Sequence, residues 1–157
     1  MKIIKFACIV LLGSLFSCEK PIEKKVNKQE FEFSVWITSK KDKSIGEYDT
    51  EFKKYKDGGI DEILINTNTD PKELERLVPI ASKNGLKVHA WIMSMNRPND
   101  TVALQHPEWY MVSRDGKSCY DTRPYVDYYQ WLCPTREASR NHVLGLVEGL
   151  AKVEGIE

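Results

Sequence analysis

Residues 31–38 read Phe-Glu-Phe-Ser-Val-Trp-Ile-Thr, a strict alternation with Phe31, Phe33, Val35 and Ile37 on one face and Glu32, Ser34, Trp36 and Thr38 on the other. A period of two is that of a strand whose faces meet different surroundings. The period then lengthens. Tyr48, Phe52 and Tyr55 fall at i, i+4 and i+7 and predict a helix over 48–56, stopped at Asp57-Gly58-Gly59 because glycine accepts the left-handed conformation at a helix end. A second strand is predicted over 60–66. The next helix opens at Asp70-Pro71-Lys72-Glu73 in the manner of a capping box, with Leu74, Leu77, Val78 and Ala81 as its apolar stripe and Gly85 beyond its end. Pro79 removes a helical hydrogen bond, so a bend is expected there. A third strand covers 86–94, with Val88, Ala90 and Ile92 on one face and Lys87, His89, Trp91 and Met93 on the other. A third helix is expected over 135–153, with Thr135 as N-cap and Val143, Leu146, Val147, Leu150 and Ala151 as its stripe.

One joint recurs at the end of each helix: Gly59-Ile60-Asp61, Gly85-Leu86-Lys87 and Gly155-Ile156-Glu157. The first two open strands, and by analogy the third opens a fourth. Strands alternating with helices imply parallel strands joined by crossovers, hence an α/β fold. The expectation is a partial TIM-type (β/α)8 barrel, its first three β/α units. Such a barrel takes about 250 residues, so this chain of 157 residues reads as the opening part of a longer product.

In such barrels the loops after the strands' C-terminal ends build the active site. The stretch 95–134 after the third strand far exceeds an ordinary connection and carries Trp109, Tyr110, Tyr120, Tyr125, Tyr128, Tyr129 and Trp131. Aromatic rings offer flat apolar faces on which the C–H face of a sugar rests, while Asp, Asn and Arg side chains bond its hydroxyls. The same rings can also form a small core for the loop itself. Candidate substrate-binding residues are Trp36 on the first strand, Asn66 at the end of the second, and His89 and Trp91 on the third. Asn96 and Arg97 follow just beyond, and Trp109 and Asp115 lie in the long loop. His89 has the alternative of an ordinary core histidine. Glu108, Asp115 and Asp121 are carboxylates of the loop, but solvated or turn-capping roles suit them equally, and no catalytic pair is identified.

Charge and composition narrow the partners. Lys+Arg and Asp+Glu number 23 each, leaving no basic excess to neutralise a phosphate backbone, so nucleic acid is not expected. His89, His106 and His142 share no metal-ligand spacing, no CxxC or CxxH occurs, and no glycine-rich phosphate cradle is present, so neither metal nor cofactor is expected. At the N-terminus, Lys2 and Lys5 precede an uncharged apolar run too short to span a bilayer permanently. It ends in Leu15-Phe16-Ser17-Cys18, which resembles a bacterial lipobox. Residues 1–17 are therefore expected to be a lipoprotein signal peptide, Cys18 the lipidated residue, 18–30 a polar lysine-rich tether and 31–157 the folded part. The expected product is exported and anchored to a membrane in the cell envelope or on the cell surface. Export also permits a disulfide between Cys119 and Cys133, which spacing alone leaves open.

Several segments together resemble a known family, the bacterial barrels termed glycosyl hydrolase-like 10. They are Lys87-Val88-His89-Ala90-Trp91-Ile92, His106-Pro107-Glu108-Trp109, Ser113-Arg114-Asp115-Gly116 and Leu132-Cys133-Pro134-Thr135. The resemblance implies a (β/α)8 barrel acting on or binding polysaccharide or oligosaccharide, with a glycoside hydrolase as the expected activity. It also implies an acidic residue at the end of a fourth strand, which these residues do not include, so this chain alone is expected to be inactive. A non-catalytic glycan-binding surface lipoprotein is the alternative.

Overall fold

The computed structural model describes Phe31–Glu157; the expected signal peptide (1–17), the lipidation site Cys18 and the tether (18–30) lie outside the described residues. Three strands and three helices alternate: β1 (Ser34–Thr38), α1 (Ile45–Asp57), β2 (Glu62–Asn66), α2 (Pro71–Lys83), β3 (Lys87–Ala90) and α3 (Glu137–Ala151). The strands form one parallel sheet in the order β1-β2-β3, with Ser34 beside Glu62 and Glu62 beside Lys87. This is the parallel arrangement that the alternating pattern predicts.

The period-two faces sort as the sequence demands. Ile63, Ile65 and Val88 are fully buried and, with Val35, Ile37 and Ala90, meet a helical layer contributed by Tyr48, Phe52, Leu74, Leu77, Ala81 and Leu150. Each large apolar side chain buried there contributes on the order of 2 kcal/mol. The other sheet face carries Ser34, Trp36 and Thr38 on β1, Glu62, Leu64 and Asn66 on β2, and Lys87 and His89 on β3. Every described strand is shorter than predicted. Regular pairing of β1 starts only at Ser34, because the Phe33 carbonyl accepts from both Asp61 N–H and Glu62 N–H, which breaks the ladder. Phe31 and Phe33 are left exposed rather than placed in the core. β3 stops at Ala90, although Trp91 N–H still donates to Ile65 O at 2.9 Å.

Helix ends show where side-chain chemistry departs from the expected reading. The capping box belongs to α1: Ser44 Oγ accepts from Glu47 N–H and the Glu47 carboxylate accepts from Ser44 N–H at 2.8 Å. At α2, Asp70 does cap, accepting from Lys72 N–H at 3.1 Å. Glu73, however, turns to Arg76, whose Nε and Nη2 donate to it at 2.9 and 2.6 Å. A half-buried guanidinium is the stronger partner for a carboxylate that is itself buried. Pro79 sits inside an unbroken α2. It faces solvent next to exposed Glu75, so the carbonyl deprived of its N–H partner lies where water can reach it. α3 starts at Glu137 with Arg136 as N-cap, not at Thr135, because the Thr135 hydroxyl engages Cys133 Sγ at 3.1 Å. Of its predicted stripe Val143 and Leu150 are buried while Val147 is exposed.

The recurrent glycine joint is real in the backbone: Gly59, Gly85 and Gly155 have φ of 87°, 73° and 85°. Asp61 and Lys87, two residues beyond the first two glycines, donate their N–H groups to Phe33 O and Asp61 O, the residues just ahead of β1 and β2, and Glu157 donates to Val88 O of β3 at 2.9 Å. The segment between β3 and α3 is ordered around a second core of Ala103, Tyr110, Cys119, Leu132 and Val143, flanked by Met95, Leu104, Trp109 and Tyr120. Antiparallel bridges Asn96–Trp131, Tyr110–Leu132 and Val112–Ser118 stitch it together. Cys119 and Cys133 are free thiols, which settles the question that spacing left open.

Candidate functional site

Because the strands are parallel, Thr38, Asn66 and Ala90 end at one edge of the sheet, and the loops leaving that edge converge. The exit from β2 is a strained turn. Asn68 and Thr69 have φ of 53° and 64°, a region that costs a β-branched residue on the order of 1–2 kcal/mol. Local bonds hold it in place: Asn66 Oδ1 accepts from Asn68 N–H at 2.8 Å, and Thr69 Oγ donates to Asn68 O. Arg97, from the loop after β3, clamps the same turn. Its Nη2 donates to Thr69 Oγ1 at 3.2 Å and its Nη1 to Met93 O at 3.3 Å.

Arg97 is in turn held by Asp100, through Nε at 2.9 Å. Asp100 also accepts from Val102 N–H, from Ala103 N–H at 3.0 Å, and from His142 Nε2 of α3 at 2.8 Å. Burial alone would raise its pKa, but the Ala103 N–H, His142 and Arg97 together hold the carboxyl at about 2. Asp100 is thus a fixed anion tying the turn after β2, the loop after β3 and α3 into one frame. Between turn and loop lies a cleft of ≈310 Å³ lined by Asn66, Asn68, Thr69, Met93, Arg97 and Asn99 among others.

Trp36 and Trp91 meet on the sheet face beside this edge, with ring centroids 6.1 Å apart and planes within 14°. Trp36 remains 69% exposed. Asn66 adds an amide whose Nδ2 forms no hydrogen bond among the described residues. His89 stands in the same cross-sheet row as Leu64 and Trp36. Its Nε2 lies 3.5 Å from Glu62 Oε2 without a hydrogen bond among the described residues. Glu62 is pulled below the usual carboxylate range, chiefly by the Ser34 hydroxyl that donates to it at 2.8 Å.

The remaining predicted residues have other surroundings. Asn96 lines the cleft, but it is buried and its Oδ1 takes Gln130 N–H at 2.8 Å, stapling two parts of the long loop. Trp109 is half-buried against the second core, stacked on His106 at 4.0 Å and tilted over His142 at 5.5 Å. Asp115 occupies an exposed hairpin turn, bonded first to the Ser113 hydroxyl and then to Lys117, both of which lower its pKa. The structure therefore brings Asn66, Asn96 and Arg97 together at the cleft, stacks Trp36 and Trp91 on each other on the sheet face with His89 in the row of Trp36, and leaves Trp109 and Asp115 elsewhere.

Sequence reading missed Asp100. Its i,i+3 spacing from Arg97 and its place before Thr101-Val102-Ala103 carry an N-cap signal, whereas His142, 42 residues away, carries none. Among the described residues no group of three His, Cys, Asp or Glu side chains could hold a metal.

Comparison with known proteins adds fold information. No protein-family model matches the chain, and no curated protein matches it. Among solved structures, an alpha-amylase from Lactobacillus plantarum superposes with a TM-score of 0.56 at 15% identity, covering 79% of this chain and 36% of the amylase chain. The likeness is one of fold: a parallel three-stranded sheet alternating with three helices matches part of an amylase's architecture.

Proposed function

We propose that Phe31–Glu157 is the first three β/α units of a (β/α)8 barrel and that the sheet edge described above is part of its saccharide-binding cleft. The observation that carries this reading is exposed Trp36 stacked on half-buried Trp91, on the sheet face that also carries Asn66, whose Nδ2 has no partner among the described residues. An apolar platform next to fixed polar groups is how a sugar ring is held. The partial match to an amylase fold supports the carbohydrate class.

For activity the reading is glycoside hydrolysis, which needs a proton-donating carboxylic acid and a second carboxylate. Every described carboxylate with a resolved shift lies below its ordinary range, Asp100 at about 2 included. None of these seven has the raised pKa of a proton-donating acid, so none is assigned that role, and the part proposed for the sheet edge is binding. The alternative is a non-catalytic glycan-binding surface lipoprotein that uses the same sheet edge.

Isothermal titration with soluble malto-, cello-, xylo- and chito-oligosaccharides tests the cleft: one series should bind, and Trp36→Ala should weaken it about tenfold. Absence of binding to every series overturns the reading. Release of reducing ends by the whole gene product separates hydrolase from binder. We further infer that the chain is exported and lipid-anchored through Cys18, so Cys18→Ser should move it from the membrane fraction to the soluble one. An unchanged distribution refutes the anchor.

A further inference from the structure

A groove of ≈630 Å³ lies in the long loop, outside the sheet-edge cleft, with walls that include Met111, Val112, Pro124, Tyr125 and Trp131. These side chains are unusually exposed for their kind: Tyr125 is 88% exposed, and Met111, Val112 and Trp131 also face water. The groove is firmly built. Its Met111–Cys119 side is a hairpin closed by the Val112–Ser118 bridge and the Gly116 turn. The Cys119–Asp127 side is pinned by Arg123, whose guanidinium donates to the carbonyls of Cys119, Tyr120 and Asp127. Trp131 N–H donates to Cys119 Sγ at 3.2 Å, which fixes the floor.

Two features decide what could occupy it. Apolar walls are bordered by polar side chains, the short Ser113, Asp115 and Thr122 and the longer Lys117, so an occupant with apolar faces and hydroxyl edges fits, as a pyranose has. The groove also adjoins the cleft. Asn96, which lines the cleft, and Trp131, which lines the groove, are directly paired in an antiparallel bridge. Residues so paired project to the same face of the ribbon at neighbouring-strand spacing, about 5 Å. The two cavities are thus built on neighbouring backbone segments, with Trp131 on the groove side of that bridge and Tyr125 across the groove from the hairpin.

We propose that this groove is an outer subsite for the same saccharide, so that the ligand is an extended oligosaccharide chain and not a mono- or disaccharide. This rests on the reading that saccharide occupies the sheet-edge cleft. The outer subsite acts by stacking sugar faces on Tyr125 and Trp131, while the inner cleft supplies the hydrogen bonds.

The test is titration calorimetry of the whole chain with one oligosaccharide series, from the disaccharide to the hexasaccharide. Wild type should gain affinity with length. Tyr125→Ala, at a surface position where folding is not at stake, should lose about tenfold on the hexasaccharide and nothing on the disaccharide, and Tyr125→Phe should restore the loss. Trp36→Ala should weaken every length. Length-independent binding that still depends on Trp36 overturns the outer subsite and leaves the cleft reading intact. Absence of binding at any length overturns both. If Tyr125→Ala instead dissociates a dimer in sedimentation velocity and leaves hexasaccharide affinity unchanged, the groove is a contact between copies and the proposal fails.

Discussion

The helix-backed sheet and the long loop are ordered by different means. In the sheet core Phe52, Ile63, Leu74, Leu77 and Val88 are fully buried, and all but Ile63 lie at positions that periodicity assigns. The loop has a smaller apolar core and a larger share of buried polar groups: Asn96, Asp100 and Gln130 are all buried within it, and Ser139 on α3 bonds Trp109 O at 3.1 Å. Burial of apolar area is non-directional and tolerant, whereas a buried polar group demands one partner in one geometry. The sheet supplies a stable floor; the loop places specific atoms over it.

Four substitutions at three positions sharpen that contrast, beginning with the largest effect. Phe52→Ala empties a fully buried site in the sheet core and should cost about 3–5 kcal/mol. In urea titration both regions should then unfold together, and a loop that kept its structure would break the comparison. Asp100→Ala removes the acceptor shared by Arg97, His142 and Ala103 N–H and should cost about 2–3 kcal/mol. Hydrogen exchange should accelerate around residues 97–105 more than in β2.

The same carboxylate predicts an acid limb. Its folded pKa of about 2 lies below the ordinary 3.8. Its contribution is therefore complete above about pH 4 and drains away as the pH falls through 2. Asp100→Asn should flatten that limb, and an unchanged limb would remove Asp100 from the account.

The smallest effect is at the joint. Gly155→Ala places a Cβ 2.8 Å from Val78 Cγ1 at a φ of 85° and should cost about 1–2 kcal/mol. A shift in thermal midpoint without faster exchange in the loop would assign the joint to the sheet core alone.

Much of the fold was legible because its determinants are local. Alternation in β1 and β3, the Tyr48-Phe52 spacing, the Pro71 start of α2 and the glycines at 59, 85 and 155 each act within a turn or two of chain. The misreadings were competitions that only neighbours decide. Glu73 chose Arg76 over the helix end, Thr135 chose Cys133, and Val147 stayed exposed although its helical position matched that of buried Leu150. For the candidate site, residue types at the strand ends pointed to Trp36, Asn66 and Trp91, but nothing in the spacing distinguished Asn96, spent on Gln130, from Asn66, whose Nδ2 has no partner among the described residues.

What the sequence determined by itself is the parallel strand-and-helix order and which sheet face is polar, since these follow from periods of two and 3.6 and from backbone freedom at glycine. Tertiary structure alone decided that Arg97, Asp100 and His142 form one chain of contacts behind a strained turn. Buried polar partners are selected by proximity across the fold, and proximity between residues 42 positions apart is not encoded in any local pattern.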